Sequence, residues 1–172
     1  DVFDFEELKA FSNRVENAVG KVEYVAECKI DGLAMSLRYN EGKFVQAVTR
    51  GDGTIGEDVT NNVRTIKSIP MEIPCLDEID IRGEVFMPKK SLLKVNESRR
   101  LNGEDEFANC RNAAAGSIRQ LDSKVAASRG LDAFWYHLPD GEEYGLENHY
   151  DSLMWLKSMK FKVNTEFTRV FS

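Results

Sequence analysis

The sequence predicts an α+β fold in which antiparallel sheets are flanked by helices. Residues 33–39 alternate apolar and polar side chains and lead through a glycine-containing turn into a second strand-like run, which is typical of a β-hairpin. Residues 5–19 instead carry apolar side chains at spacings of three and four, which is typical of an amphipathic helix. With 172 residues, of which 42% are hydrophobic, the chain suits one domain with a real core.

The first helix is predicted over Phe5–Val19, where Leu8 and Phe11 fall on one face. Asp4 is its expected N-cap, because a short polar side chain there can accept a hydrogen bond from a free backbone N–H. Gly20 is the expected stop, since glycine adopts the positive φ common at helix ends.

A mostly apolar, buried strand is predicted over 22–28, and residues 29–32 interrupt it. The hairpin follows, with strands over 33–39 and 44–49 around a turn at 40–42. The lysine of the interrupting segment, Lys29, therefore lies at the entry to the hairpin.

A glycine-rich loop follows the hairpin, and Gly51, Gly53 and Gly56 match the G-x-G-x-x-G spacing of dinucleotide-binding folds, with a helix predicted to begin near Gly56. The preceding strand belongs to a hairpin, however, and not to a parallel strand–helix–strand unit. Three acidic residues would also meet the pyrophosphate: Asp52, Glu57 and Asp58. The pattern favours a tight loop whose glycines supply positive φ over a dinucleotide site.

The rest of the chain predicts a strand over 78–87, a helix over Lys89–Leu101, a strand over 131–138 and a last helix over 149–159. Between them, small residues at 113–116 would let another backbone approach closely. These elements complete the antiparallel sheet and its flanking helices.

Charge and composition exclude several classes of protein. The net charge of −6 argues against a strongly nucleic-acid-binding domain, although residues 89–129 hold nine basic and five acidic residues, so phosphate contacts are expected there. No apolar run approaches the roughly 20 residues needed to cross a bilayer. Three cysteines without a C-x-x-C pair argue against a disulfide framework or a zinc site and favour the cytoplasm. We expect no signal peptide.

Lys29 stands between two carboxylates, Glu27 and Asp31, and all three would share one side of an alternating stretch. A lysine amine has a pKa near 10.4 and attacks only when it is neutral, so a nucleophilic lysine needs a special environment. One carboxylate could then orient the amine, accept its proton or hold hydrated Mg²⁺. The spacing alone favours a plainer alternative, a surface ladder of ion pairs.

Other polar residues leave similar alternatives open. Arg82 and Glu84 form either a salt bridge within a strand or, for Glu84, a contact to a ribose. Tyr136 either packs in the core or stacks on a base. His137 and His149 have no partner motif and are interpreted as structural.

Five stretches together resemble one family. The segment 29–32 matches the K-x-D-G signature of the covalent nucleotidyltransferases, which include DNA ligases, RNA ligases and mRNA-capping enzymes. The wider context is similar to the bacterial NAD⁺-dependent DNA ligases over nearly the whole chain. Its residues are Glu27–Ala34, Thr49–Thr54 with Gly56–Asp58, Arg82–Glu84, Phe107–Asn109 and Arg111–Ser117. The resemblance implies a covalent nucleotidyltransferase core of the DNA ligase and mRNA-capping type.

The resemblance also implies a reaction. Lys29 would attack the α-phosphate of NAD⁺, release nicotinamide mononucleotide and become a lysyl-AMP that is passed to nicked duplex DNA for sealing. Asp31 would support Lys29 and, with Glu84, contact Mg²⁺ through water. The alternatives are an ATP-dependent ligase or capping-type enzyme, or, for the fragment alone, a non-catalytic module that binds an adenine nucleotide.

Matching positions imply further contacts. Glu27 would meet the adenine mainly through its backbone, Arg50 and Glu84 the ribose side, and Tyr136 the base face. Two arginines would meet phosphate of the cofactor or of DNA, in agreement with the basic segment: Arg111 and Arg119.

The sequence departs from the family pattern in several places. Cys110 stands where the family usually has proline. The family's N-terminal helical subdomain, its later D-G-x-x-x-K stretch, and its zinc-finger, helix-hairpin-helix and BRCT regions are not found in this chain. We therefore expect residues 1–172 to be a nucleotidyltransferase core subdomain truncated at both ends, monomeric, and weakly active or inactive by itself.

Overall fold

The computed structural model describes residues 2–51, 55–165 and 169–171, the last three by their backbone. The chain divides into a smaller unit, Asp1–Cys28 with Thr165–Ser172, and a larger unit, Lys29–Asn164. The strands are β1 (Tyr24–Ala26), β2 (Leu33–Asn40), β3 (Lys43–Thr49), β4 (Ile79–Phe86), β5 (Asp132–His137) and β6 (Arg169–Phe171). The helices are α1 (Phe5–Val19), α2 (Thr60–Val63), α3 (Lys89–Leu101), α4 (Cys110–Ile118), α5 (Ser123–Ser128) and α6 (His149–Ser158), and a 3₁₀ helix spans Gly141–Tyr144.

The smaller unit contains α1 and a two-stranded antiparallel sheet of β1 and β6. The predicted caps of α1 are confirmed, because the Asp4 side chain accepts a hydrogen bond from the Glu7 backbone N–H at 2.8 Å and Gly20 has a φ of +84°. The helix buries none of its residues.

The larger unit is built on a four-stranded antiparallel sheet with the strand order β3-β2-β4-β5. The hairpin of β2 and β3 is confirmed, and β4 pairs with the other edge of β2, with Leu37 opposite Ala47 on one side and Ile81 on the other. All three side chains are fully buried on one face. The period-two pattern therefore directs alternate residues into the core and leaves the opposite face of the sheet for polar groups.

Two glycines allow the strands of the larger unit to approach one another closely. A Cβ atom added to Gly83 in β4 would lie 2.3 Å from the Phe134 carbonyl oxygen and 2.5 Å from the Trp135 ring. A Cβ atom added to Gly32, just before β2, would lie 2.3 Å from the Val85 carbonyl oxygen. Glycine is required at both positions because any side chain would overlap a neighbouring strand.

The strand over 78–87, the helix Lys89–Leu101, the strand over 131–138 and the helix over 149–159 are confirmed to within one or two residues at each end. The mixed arrangement of helices and antiparallel sheets agrees with the predicted α+β class. The assignment of residues 1–172 to a nucleotidyltransferase core subdomain stays a prediction.

Two expectations are wrong. The strand predicted over 22–28 is only three residues long, and none of its residues is buried. No helix begins near Gly56, because residues 55–59 are not helical, Asp58 forms an isolated antiparallel bridge to Val48, and α2 starts at Thr60. There the Asp58 side chain accepts hydrogen bonds from the backbone N–H and hydroxyl of Thr60, which favours a turn before the helix.

The small residues at 113–116 lie in α4, and Ala113 and Ala114 are fully buried. At Gly116 the close neighbour is the ring of Phe107, 3.0 Å from the position of an added Cβ atom, and not a backbone. In the described part of the chain, Cys28, Cys75 and Cys110 are free thiols. None of the helices in that part is long and apolar enough to cross a membrane.

Candidate nucleotide-binding site

One cleft of the larger unit brings together seven of the eight side chains predicted as site residues. It has a volume of about 450 Å³, which is within the usual range for a small-molecule site. We call it the lysine cleft. The predicted residues that line it are Lys29, Asp31, Arg50, Glu84, Arg111, Arg119 and Tyr136.

Lys29 and Asp31 lie in irregular backbone between β1 and β2, and both are exposed. The segment is held at its end by Gly32, whose missing side chain lets it lie against the β4 backbone. A surface ladder of ion pairs requires a strand, and no strand runs through residues 29–32. Glu27, Lys29 and Asp31 therefore do not share one side of a strand, as the alternation predicted.

Glu84 and Tyr136 form the wall of the lysine cleft provided by β4 and β5. The Tyr136 hydroxyl donates a hydrogen bond to Glu84 Oε2 at 3.1 Å. The pairing of the two strands shifts register between Arg82, which lies opposite His137, and Gly83, which lies opposite Trp135, so Tyr136 falls at the shift. Such a bulge re-aims a side chain. Tyr136 is half-buried and is thus not part of the fully buried core.

The pKa of Glu84 is raised above its ordinary value. Burial is the largest cause, and the charge of Asp31 acts in the same direction. The hydrogen bond from Tyr136 and the positive charges of Lys29 and Arg111 oppose the shift. These opposing effects show that the carboxylates and cations of the lysine cleft interact electrostatically.

Arg50 enters the lysine cleft from the end of β3. Its backbone N–H donates to the Ala34 carbonyl oxygen at 3.1 Å, which fixes the chain where it leaves the strand. Gly51 then turns with a φ of +56°, as predicted for a tight loop. Gly53 lies outside the described residues, and Gly56 does not have a positive φ.

Arg111 and Arg119 reach the lysine cleft from the two ends of α4. Asn109 caps the helix, because its side chain accepts a hydrogen bond from the Asn112 backbone N–H at 2.8 Å. Arg111 is exposed in the first turn, and Arg119 directly follows the last helical residue. Helix α4 thus spaces two guanidinium groups along one side of the cleft.

Arg119 is held by Glu57 and Asn62, which both follow the glycine-rich loop in the chain. Glu57 Oε2 accepts a hydrogen bond from Arg119 Nε at 2.5 Å. The buried Asn62 side chain donates to the carbonyl oxygens on either side of Arg119, those of Ile118 at 2.7 Å and Gln120 at 2.6 Å. Sequence patterns predicted no supporting role for Glu57 or Asn62. Glu57 appeared only as an acidic residue that argues against a pyrophosphate site and as a member of the family-like stretch Gly56–Asp58.

The lysine cleft carries four cationic side chains and two carboxylates. This balance favours a phosphate-bearing ligand, and guanidinium groups can bind phosphate with two hydrogen bonds each. Asp31 and Glu84 are the carboxylates that could face a metal ion. No cluster of three or more histidine, cysteine or acidic residues suited to a metal occurs among the described residues.

A second cleft, of about 580 Å³, continues from the lysine cleft over the polar face of the sheet, and we call it the sheet cleft. Both are lined by Ala34, Arg50 and Tyr136. Arg82 and His137 line only the sheet cleft. Burial, together with the charges of Arg82 and His149, lowers the pKa of His137, although Asp140 opposes this shift.

The remaining predicted residue, Glu27, belongs to the smaller unit, where it is exposed just after β1. Its contact with adenine stays a prediction, as do the roles of the seven residues in the lysine cleft.

Comparison with known proteins identifies relatives over the whole chain. The family described as the NAD-dependent DNA ligase adenylation domain matches residues 1–172. A DNA ligase of Anoxybacillus flavithermus is 54% identical over 164 residues, which cover 95% of this chain and 24% of the relative. A DNA ligase of Ligilactobacillus salivarius is 52% identical over 171 residues, which cover 99% of this chain and 25% of the relative. The chain thus spans about a quarter of the length of these relatives.

Proposed function

Since the chain belongs to the family of NAD-dependent DNA ligase adenylation domains, we propose that it performs the nucleotidyl transfer of such a ligase, with Lys29 as the nucleophile. The observation that carries the proposal is the lysine cleft, where Lys29 shares one site with three arginines, two carboxylates and a half-buried tyrosine. In this role the larger unit is a covalent nucleotidyltransferase core.

In the first step, the neutral amine of Lys29 attacks the α-phosphorus of NAD⁺. A bond forms between Nζ and phosphorus, the phosphorus–oxygen bond to nicotinamide mononucleotide breaks, and the amine gives up a proton. The products are lysyl-AMP and nicotinamide mononucleotide. Asp31 lines the same cleft, and we assign it to orient the amine and accept its proton.

The nucleoside half of NAD⁺ would lie along the β4–β5 wall. Glu84 would accept a hydrogen bond from the ribose, and Tyr136 would present its ring to the base, with Arg50 on the ribose side. The hydrogen bond between Tyr136 and Glu84 supports this assignment, because it fixes both side chains before the ligand binds. Glu27 would add a backbone contact to the adenine.

The phosphates would meet Arg111 and Arg119. Charge that develops on phosphate oxygens during transfer is stabilised by fixed cations, and this effect is often the largest contribution to such catalysis. The same arginines would contact the 5′-phosphate of nicked duplex DNA when AMP is passed on. The 3′-hydroxyl of the nick would then displace AMP and seal the strand.

Asp31 and Glu84 fit a role in holding Mg²⁺ through its water ligands. Mg²⁺ is usually held by one or two carboxylates together with substrate phosphates, and two carboxylates are what the lysine cleft offers. The ion would neutralise part of the phosphate charge. The expected monomeric state and cytoplasmic location stay predictions.

Intact-mass measurement of the full-length ligase that carries this domain tests the proposal. After incubation with NAD⁺ and Mg²⁺, we expect the mass to increase by one AMP, and we expect Lys29→Ala to remove this increase. Lys67→Ala is the control, because Lys67 is exposed and does not line the lysine cleft. AMP addition that persists in Lys29→Ala would contradict the assignment of the nucleophile.

Parallel incubation with ATP separates the two classes of donor. An AMP adduct formed with ATP and not with NAD⁺ would show an ATP-dependent enzyme. Binding of NAD⁺ without any adduct would instead indicate a nucleotide-binding module.

A further inference from the structure

We propose that Glu57 is a positioning residue for Arg119 and sets the direction in which this arginine presents its guanidinium group to a phosphate in the lysine cleft. This inference rests on the proposed function. It adds Glu57, a residue that is not among those assigned to contact the nucleotide. Glu57 itself does not line the cleft.

The geometry of the ion pair orients the guanidinium group of Arg119. Arg119 Nε donates a hydrogen bond to Glu57 Oε2 at 2.5 Å. The side chain of Arg119 makes no other hydrogen bond or ion pair among the described residues, so both terminal nitrogens stay available. A guanidinium group offers its donors in a rigid fork, so occupying Nε on one edge orients the remaining donors. The pair therefore leaves a two-pronged donor for phosphate.

The backbone of Glu57 is itself held by two hydrogen bonds to Thr49. Its backbone carbonyl oxygen accepts from the Thr49 backbone N–H at 3.0 Å, and its own N–H donates to the Thr49 hydroxyl at 3.0 Å. Thr49 is only 2% exposed. Exposed ion pairs usually contribute little because two flexible side chains must be ordered. Here the backbone of Glu57 is already fixed to the edge strand β3 of the sheet, so only the side chain must be ordered.

The backbone on both sides of Arg119 is also fixed. Asn62 is 7% exposed and donates to the carbonyl oxygens of both neighbours of Arg119. One short stretch of chain, residues 57–62, therefore fixes the side chain of Arg119 through Glu57 and its backbone through Asn62. Such a doubly fixed arginine has little freedom to lose when phosphate binds.

Positioning and competition predict opposite results. If Glu57 positions Arg119, its removal slows the step that uses Arg119. If Glu57 instead holds Arg119 away from phosphate, its removal accelerates that step. The sign of the effect of Glu57→Ala therefore decides between them.

The experiment uses the full-length ligase and two reactions, AMP transfer from NAD⁺ to the enzyme and sealing of a nick whose 5′ end already carries AMP. Both are measured in a single turnover at saturating substrate. We expect Arg119→Ala to slow at least one reaction, and Glu57→Ala to slow the same reaction about tenfold. Glu57→Gln keeps an acceptor for Nε and should recover most of the lost rate.

A double mutant separates positioning from a general loss of structure. Glu57→Ala combined with Arg119→Ala should be no slower than Arg119→Ala alone, because residues that act through one another are not additive. The matched control is Glu106→Ala, which removes an exposed carboxylate that binds Arg100 Nε at 2.8 Å and does not line the cleft. Its two rates should equal those of the wild type.

Several results would overturn the inference. These are wild-type or faster rates for Glu57→Ala, a double mutant slowed by the product of the two single effects, and wild-type rates for Arg119→Ala. In each case the wild-type enzyme still takes AMP from NAD⁺, so the proposed nucleotidyl transfer stands. Wild-type rates for Arg119→Ala would also remove the phosphate contact assigned to Arg119. A wild-type enzyme that takes up no AMP would instead remove the proposed function and this inference together.

Discussion

The Tyr136 hydroxyl donates a hydrogen bond to the Glu84 carboxylate at 3.1 Å across the β4–β5 pair. This bond stabilises the charged form of Glu84 and opposes the effect of burial, which raises the pKa of that carboxyl group. Tyr136→Phe removes the bond and keeps the ring, so we expect the pKa of Glu84 to rise further. This pKa is measured by following the NMR chemical shift of the Glu84 carboxyl carbon as a function of pH. An unchanged or lower pKa in Tyr136→Phe would contradict the hydrogen bond.

The raised pKa of Glu84 also predicts how stability depends on pH. The folded state holds this proton more tightly than the unfolded state, in which the pKa is near its ordinary value of 4.5. The contribution of Glu84 to the free energy of unfolding therefore decreases as pH rises from about 4 through the folded-state pKa. Over this range, urea denaturation should show the free energy of unfolding of the wild type falling relative to that of Glu84→Gln, because glutamine does not titrate. Equal pH profiles for the two proteins would contradict the shift.

Asn62 should matter for stability as well as for the site. Asn62→Ala leaves two carbonyl oxygens beside Arg119 without their donor, those of Ile118 and Gln120, which should lower the free energy of unfolding by about 1–3 kcal/mol. Asn62→Asp should cost more, because it places a negative charge against those oxygens. Urea denaturation measures both. The control is Asn61→Ala, which alters the exposed neighbour.

The core side of the sheet can be tested with two leucines of opposite exposure. Leu37 is fully buried in β2, so Leu37→Ala should lower the free energy of unfolding by about 2–5 kcal/mol. Leu93 is 73% exposed on α3, and Leu93→Ala should change stability little, because alanine is also a strong helix former. Thermal or urea denaturation should separate the two. Equal losses would contradict the assigned core face.

Gly83→Ala should be destabilising by about 1–3 kcal/mol, because the new methyl group would overlap the β5 backbone. Gly116→Ala is the matched comparison in α4, where the obstacle is the ring of Phe107 and alanine improves helix propensity. In urea denaturation, the decrease in the free energy of unfolding should be smaller for Gly116→Ala than for Gly83→Ala. A Gly83→Ala protein as stable as the wild type would show that β4 and β5 separate easily.

The sequence predicted best where a local pattern and its burial agree. The alternation in β2 and the turn after it indicated a hairpin that the structure contains. The strand over 22–28 was predicted too long and too buried, since apolar composition does not reveal whether another layer covers a strand. Helix formation near Gly56 was expected from spacing, but a turn in which the Asp58 side chain accepts from the Thr60 backbone N–H comes first, and α2 begins at Thr60.

For the site, the family-like stretches contain five of the seven predicted residues that line the lysine cleft. The other two, Arg119 and Tyr136, lie outside those stretches and were assigned from matching positions. The supporting contacts were not predictable in this way. Glu57 and Arg119 are 62 positions apart in the chain, and neither belongs to a pattern that names the other. Such a pair becomes visible only when the β3 end and the α4 end are placed in space.

The glycines that line the two clefts have a consequence for inhibitor design. A Cβ atom added to Gly51 in the lysine cleft would lie 1.7 Å from the Ile55 carbonyl oxygen, and one added to Gly83 in the sheet cleft would meet β5. A compound that contacts the main chain at these two positions would bind surfaces that mutation can hardly alter. Resistance at either glycine would require a substitution that also damages folding.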